Sequence, residues 1–224
     1  MMTFAHRTDA GHRLAQRLTF LHDAEPVVLG LPRGGVVVAV EVARALGAPL
    51  DVLVVRKLGV PGQSEVAMGA IGEQDVRVLN DDVLAMTGLG EHDIAVVEDH
   101  ERIELDRRVR RYRGGRPPES IADRTVVIVD DGIATGATAR AACEIARARG
   151  AARVVLAVPV ASPDSAAELR RVADEVISLE TPSSFFAVGE FYADFRQTSD
   201  EEVVALLEGS GHILEAAHRE RPAA

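Results

Sequence analysis

The sequence predicts an α/β fold, a mainly parallel sheet with helices on both faces, held in one domain. Three features predict it. Short apolar segments at 26–30, 50–55, 125–129, 153–158 and 175–179 read as strands buried on both sides. Segments of helical periodicity separate them, as crossover connections between parallel strands require. Two strands run into glycine-rich turns, "LPRGG" and "DDGIATG", that open helices.

The elements follow in order. Leu14, Leu18 and Leu21 recur at helical spacing within 9–21 and predict an N-terminal helix. "PVVLG" (26–30) is the first strand. "VVVAVEVARALG" (36–47) reads as a helix despite its valines, with Gly47 as its C-terminal stop. "LDVLVV" (50–55) is the next strand, so "RK" falls at its carboxyl end. "RKLGVPGQSE" (56–65) is rich in glycine and polar groups and reads as a mobile loop. Residues 66–80 read as a hairpin turning at 72–75. A long helix is expected over 91–112, acidic in its first half and basic in its second. Glu98/Arg102, Glu104/Arg108 and Asp106/Arg110 are (i, i+4) pairs in the favourable order. "GGRPP" ends it. Strand 125–129, helix 136–149 closed by Gly150, strand 153–158, helix 163–172 and strand 175–179 complete the alternation. A final helix is expected at about 200–207. No internal repeat, low-complexity tract or clear linker interrupts the chain.

The 224 residues suffice for a sizeable core. No apolar run reaches the roughly 18 residues of a membrane span, and the polar start lacks the apolar region of a signal peptide. The single cysteine, Cys143, excludes an internal disulfide framework and a cysteine-rich zinc site. A soluble cytoplasmic protein is the expectation. A formal charge of −10 argues against non-specific binding of polyanions by the whole surface. The 24 arginines contrast with one lysine, Lys57. That is either an accident of composition or a site that needs a compact ammonium rather than a planar fork.

"VVIVDDGIATGAT" (126–138) carries the chemistry. A buried strand leading through a tight loop into a helix is an anion site, because the first helical amides have no partner inside the helix and the dipole favours negative charge there. Gly132 and Gly136 allow close approach of the backbone to a ligand, and Thr135 and Thr138 add hydroxyls. Asp130 and Asp131 stand at the carboxyl end of the strand, where open α/β sheets bind ligands. Carboxylates do not ligate phosphate, but they accept hydrogen bonds from the hydroxyls of a sugar attached to it. A Walker B strand is the first rival, yet no G-x-x-x-x-G-K-[ST] occurs. A dinucleotide site would need G-x-G-x-x-G, which is also missing. An ordinary aspartate-rich turn is the third.

Asp130-Asp131-Gly132-Ile133-Ala134-Thr135-Gly136-Ala137-Thr138 resembles the phosphoribosyl-pyrophosphate (PRPP) motif of the type I phosphoribosyltransferases. The resemblance spans most of 26–180. It implies that family's fold, a mainly parallel core (about 26–180) with a small hood from about 1–25 and 181–224. It implies that Asp130 and Asp131 hold the ribose hydroxyls and that Ile133, Ala134, Thr135, Gly136, Ala137 and Thr138 hold the 5′-phosphate. "GLPRGG" resembles the pyrophosphate loop, which assigns Arg33, Gly34 and Gly35 to the diphosphate, joined by Arg56 and Lys57. Lys57 would neutralise the departing pyrophosphate, and 58–78 would close over the site. Glu65, in that lid, is a candidate base. The implied reaction is phosphoribosyl transfer from PRPP to a nitrogenous acceptor. Mg²⁺ would enter with substrate and water, with no direct protein ligand. The family often forms dimers, so a homo-oligomer is expected.

Five of the eight Phe and Tyr residues crowd into "SFFAVGEFYADF". Phe185, Phe186, Phe191 and Tyr192 either stack on an acceptor ring or pack the hood, and Phe191 and Phe195 share helical spacing. "RRVRRYRGGR" (107–116) reads as the solvated half of a charge-paired helix, with nucleic-acid binding the lesser reading. The histidines show no metal spacing, and His6 and His12 are expected at the surface. Two other activities fit the same fold. One is a regulator that senses PRPP or a nucleotide and binds nucleic acid or a protein. The other is a hydrolase of phosphorylated sugars.

Overall fold

The computed structural model describes residues 3–219, with the side chains of 64, 65 and 210–219 outside the described set. Five strands form the main sheet: β1 (Val27–Gly30), β2 (Leu50–Val52), β6 (Thr125–Val129), β7 (Arg153–Val160) and β8 (Glu175–Glu180). Their order is β2-β1-β6-β7-β8, and every neighbouring pair is parallel. A three-stranded antiparallel sheet, β3 (Val55–Val60), β4 (Gln63–Gly72) and β5 (Arg77–Leu79), stands apart from it.

Strand alternation sorts the core into two faces. Val27, Leu29, Val126, Ile128, Val154 and Leu156 point to α5 (Ala137–Ala148) and α6 (Pro163–Leu169). Val28, Val127, Val129, Val155 and Ala157 point to α1 (Arg7–Arg17) and α2 (Gly34–Leu46). Burial on both faces explains why these strands are apolar throughout rather than alternating. A third cluster joins the small sheet to α4 (Glu91–Arg113) and α7 (Asp200–Arg219) through Leu58, Met68, Ile71, Leu105, Tyr112, Val203 and Leu207. The short α3 (Asp81–Thr87), capped by the Asn80 side chain, follows β5.

Several expectations change. The expected strand 50–55 breaks after Val52, and the expected mobile loop 56–65 is mostly strand: β3 and β4 pair across Val60↔Gln63. Pro61-Gly62 makes the turn, with Gly62 at φ +79. Arg56 and Lys57 therefore lie in an antiparallel hairpin, not at the carboxyl end of a parallel strand. The N-terminal helix packs on the main sheet beside α2, and Phe4, just before it, bridges Tyr192. The last helix begins at Asp200 as expected but runs to Arg219. Residues 188–191 form a 3₁₀ turn, so Phe191 and Phe195 do not share a helix.

Arg113, the end of the basic run, is not solvated. It is 3% exposed and forms ion pairs with Glu73 of the β4–β5 turn and Asp51 of β2. This buried cluster ties the small sheet and α4 to the edge of the main sheet. Arg107 and Arg108 pair with Glu104, as the (i, i+4) spacing predicts for Arg108, and Arg111 pairs with Glu201. No described helix is long and apolar enough to cross a membrane.

Candidate functional site

The strand order places the site. From β1 the chain passes through α2 to β2 on one side. From β6 it passes through α5 to β7 on the other, and α2 and α5 lie on opposite faces. The loops after β1 and β6 therefore diverge and leave a crevice at the carboxyl ends of the two strands, the usual ligand position in an open α/β sheet. Residues 31–35 and 130–138 form its two lips.

Glycine lets the lips meet. A Cβ on Gly35 would lie 2.7 Å from the Val129 carbonyl oxygen and 2.9 Å from Asp130 Oδ1. A Cβ on Gly34 would lie 1.9 Å from Asp131 Oδ2. The first turn of α2 thus abuts the acid pair directly, and "PRGG" and "DD" form one surface although about a hundred residues separate them. The Pro32–Arg33 peptide is cis. Arg33 lies at the α2 N-terminus, 3.9 Å from Asp200.

The loop after β6 is fastened from below. The Ile133 amide donates to the Val160 carbonyl at 2.9 Å, and the Ala134 carbonyl accepts from Ser162 Oγ at 2.8 Å and Ser165 Oγ at 2.7 Å. Gly136 adopts φ +75 to start α5, a conformation that favours glycine. Ala134, Thr135 and Thr138 are exposed, and the first-turn amides of α5 have no intrahelical partners. Gly132 serves packing, not close approach of a ligand: a Cβ there would strike Val188 Cγ1 at 2.4 Å.

The two carboxylates sit in an environment that disfavours their charge. The crevice strips water from Asp130, and the neighbouring Asp131 adds repulsion, so the Asp130 pKa rises well above its ordinary value. Desolvation raises Asp131 as well, and the Arg7 guanidinium opposes that rise. Arg7 Nε donates to Asp131 Oδ2 at 2.7 Å. Tyr192 donates its hydroxyl to the Asp131 carbonyl at 2.6 Å, and burial pushes that phenol upward. Sequence reasoning missed Arg7. It lies 124 residues from Asp131, and no local pattern marks such a pair.

A cavity of about 320 Å³ opens beside the lips, lined by Pro32, Arg56, Lys57, Glu101, Arg108 and Thr138 among others. It gathers Pro32 of the 31–35 lip, the sole lysine and the last threonine of the 133–138 loop. Arg56 donates to Glu101 at 2.7 Å. Arg108 and Glu101, both from α4, were also missed, because the charge pairing of that helix pointed to a solvated face. Lys57 lines a second cavity as well, between the small sheet and α5.

The aromatic cluster divides. Phe191 and Tyr192 are buried with Phe4, Ala10 and Val160. The Phe185 and Phe191 rings stack with centroids 5.6 Å apart, and Tyr192 contacts Phe4 and Phe195 at 5.3 and 5.0 Å. Phe186 is 82% exposed and lines a surface cavity with Glu180 and Glu190. Four of the rings are thus engaged in packing, and Phe186 keeps an open face. The Glu65 side chain lies outside the described residues. Cys143, on the buried face of α5, has its thiol pushed up to about 12 by burial.

Comparison with known proteins agrees with this geometry. The family model of the phosphoribosyl transferase domain matches residues 6–196. Two Mycobacterium tuberculosis proteins, named as candidate phosphoribosyl transferases, are 60% identical over 208 residues, which is 93% of this chain and 47% of each of theirs. The chain therefore spans about half the length of these relatives. The crystal structure of TT1426 from Thermus thermophilus superposes with a TM-score of 0.86 at 47% identity, covering 92% of this chain and 98% of that one.

Proposed function

Since the chain belongs to the phosphoribosyl transferase domain family, we propose that it transfers the phosphoribosyl group of PRPP to a nitrogenous acceptor and releases pyrophosphate. The observation that carries this reading is the meeting of Gly34 and Gly35 with the Asp130–Asp131 pair. In PRPP the diphosphate and the ribose hydroxyls lie on adjacent carbons. A protein that binds both needs its diphosphate loop and its hydroxyl acceptors in contact.

Asp130 and Asp131 accept from the hydroxyls, which offsets the mutual repulsion of the two acids. The amides and hydroxyls of 133–138 take the 5′-phosphate at the mouth of α5. Arg33, the amides of Gly34 and Gly35, Arg56 and Lys57 take the diphosphate, with Arg108 as a further cation lining that cavity. No group of three or more acidic, histidine or cysteine side chains fit for a metal occurs among the described residues. Mg²⁺ would be held mainly by substrate oxygens and water, the donors it prefers, and when bound it would offset charge on the leaving diphosphate. The protein's share of catalysis is alignment and charge stabilisation, which can lower a barrier by about 7–11 kcal/mol. Phe185 and Phe186 are the candidate acceptor contacts that retain some exposure, whereas Phe191 and Tyr192 would shape the wall behind them.

Four of the six arginines that motivate the regulator reading are paired within the chain. Arg107, Arg108, Arg111 and Arg113 all form ion pairs within the chain. The deciding experiment is a screen of nucleobases and small amines with PRPP and Mg²⁺, reading acceptor-dependent pyrophosphate release. Release with one acceptor class supports the proposal. PRPP binding without release in any pairing would contradict it.

A further inference from the structure

The acid pair needs a positive partner when no substrate is present, and the described structure supplies one from the N-terminal segment. Arg7 opens α1 and reaches across to Asp131 Oδ2 at 2.7 Å, with side-chain exposures of 11% and 16%. Two further contacts fix that guanidinium, and the bare backbone of Gly34 leaves room for it. Its Nη1 donates to the Arg196 carbonyl at 2.7 Å. Its carbon lies 3.9 Å from the centre of the Phe195 ring. A Cβ on Gly34 would come within 2.7 Å of its Nε. The Tyr192 hydroxyl holds the Asp131 carbonyl from the same side, and Tyr192 packs on Phe195. The segment 192–196, α1 and the tip of β6 thus converge on one carboxylate.

Resting on the phosphoribosyl-transfer reading, we propose that Arg7 is a positioning residue: it grips Oδ2 of Asp131 so that the carboxylate stays in one orientation and offers its other oxygen to a ribose hydroxyl. A carboxylate beside another carboxylate in a poorly hydrated crevice would otherwise gain a proton or turn away, and in either case it would be a worse acceptor. An arginine suits the task, because its planar fork can hold the carboxylate with one nitrogen and the hood backbone with another while stacking on an aromatic face. A lysine could satisfy only the first contact at comparable cost. Because Arg7 is braced on the hood backbone at Arg196, the arrangement also makes the ribose site depend on the hood being docked.

The test compares ligands with and without the sugar. Calorimetry in Mg²⁺ would measure PRPP and inorganic pyrophosphate binding to the wild type, Arg7→Met, Arg7→Lys, Asp131→Asn and the Arg7→Met/Asp131→Asn double variant, each first shown to be folded by circular dichroism. Arg7→Met should weaken PRPP about tenfold while leaving pyrophosphate within about twofold, and Arg7→Lys should fall between wild type and Arg7→Met. In the Asp131→Asn background Arg7→Met should add little further loss, since both changes remove the same oriented acceptor. Equal loss of both ligands would make Arg7 a mere structural staple, and additive loss in the double variant would overturn the coupling. Tighter PRPP binding by Arg7→Met would make the contact a block instead. If Arg7→Met fails to fold, the same comparison on Arg7→Lys decides. A wild type indifferent to PRPP, or an Asp131→Asn variant that binds it unchanged, would sink the transferase reading. Weakening by Asp131→Asn with none by Arg7→Met would sink only the role of Arg7.

Discussion

Gly34→Ala separates the function of the crevice from its fold. The added Cβ would lie 1.9 Å from Asp131 Oδ2 and 2.7 Å from Arg7 Nε. Both are ends of side chains, so they can move aside while the backbone stays. The cost is the Arg7–Asp131 contact, a charge-assisted hydrogen bond worth about 1.5–3 kcal/mol. Alanine returns up to about 1 kcal/mol by restricting the unfolded chain. The net loss of stability is then about 0.5–3 kcal/mol, or up to about ten degrees of Tm for a chain of this size. Binding should suffer more visibly. Moving the Asp131 carboxylate forfeits its bond to the sugar, and about 1.5–3 kcal/mol corresponds to roughly a 10- to 150-fold weaker PRPP complex. Gly35→Ala should act on the backbone instead of on side chains. Its Cβ would meet the Val129 carbonyl at 2.7 Å and the Asp130 Cα at 2.8 Å, and backbone cannot step aside. Overpacking against β6 should destabilise the fold by about 1–3 kcal/mol. Thermal melts and PRPP calorimetry on the two variants give the comparison. A Gly34→Ala protein that binds PRPP like wild type would refute the idea that the α2 lip and the acid pair form one site.

Other changes test other parts. Lys57→Ala should slow pyrophosphate exchange while ribose 5-phosphate binding stays nearly intact; equal loss of both would contradict its place on the diphosphate. Arg113→Met leaves Asp51 and Glu73 as buried charges without their cation, at a cost of about 3–5 kcal/mol, so the Tm should drop by about 10 °C. An unchanged melt would show that the cluster contributes nothing net. Asp130→Asn should stabilise the ligand-free protein at neutral pH. The folded pKa of Asp130 lies above its unfolded value, so the folded state binds more protons in the window between the two. Stability from this group is therefore greatest below the ordinary aspartate range and declines as pH rises towards the folded pKa. Asparagine removes that decline, and melts across the pH range should show a flatter profile with a higher midpoint near pH 7. A lower midpoint would mean that the Asp130 charge is better compensated than the crevice geometry indicates.

The parts legible in the sequence are those with local causes. β1 and β6 are short and wholly apolar, and each runs into glycines that open a helix, so strand, turn and helix announce themselves together. The paired lips of the crevice followed from the two motifs and their placement at strand ends. The hairpin of β3 and β4 was hidden by its own composition: its glycines and polar groups look like a loop, although Pro61-Gly62 is a turn signal between two extended runs. Arg113 looked like its neighbours in the basic run, and only the fold puts Asp51 and Glu73 around it. Arg7 carries no pattern at all. Its partner is set by how α1 docks on α2 and how residues 192–196 return to the N-terminus, both products of long-range packing.

A crystal soaked with PRPP and Mg²⁺ asks the most direct question. Ribose hydroxyls within hydrogen-bond distance of the Asp130 and Asp131 carboxylates, with the 5′-phosphate on the amides of 133–138, are the expected result. PRPP bound elsewhere, or acid side chains still turned from the sugar at full occupancy, would contradict the assignment of the β1–β6 crevice.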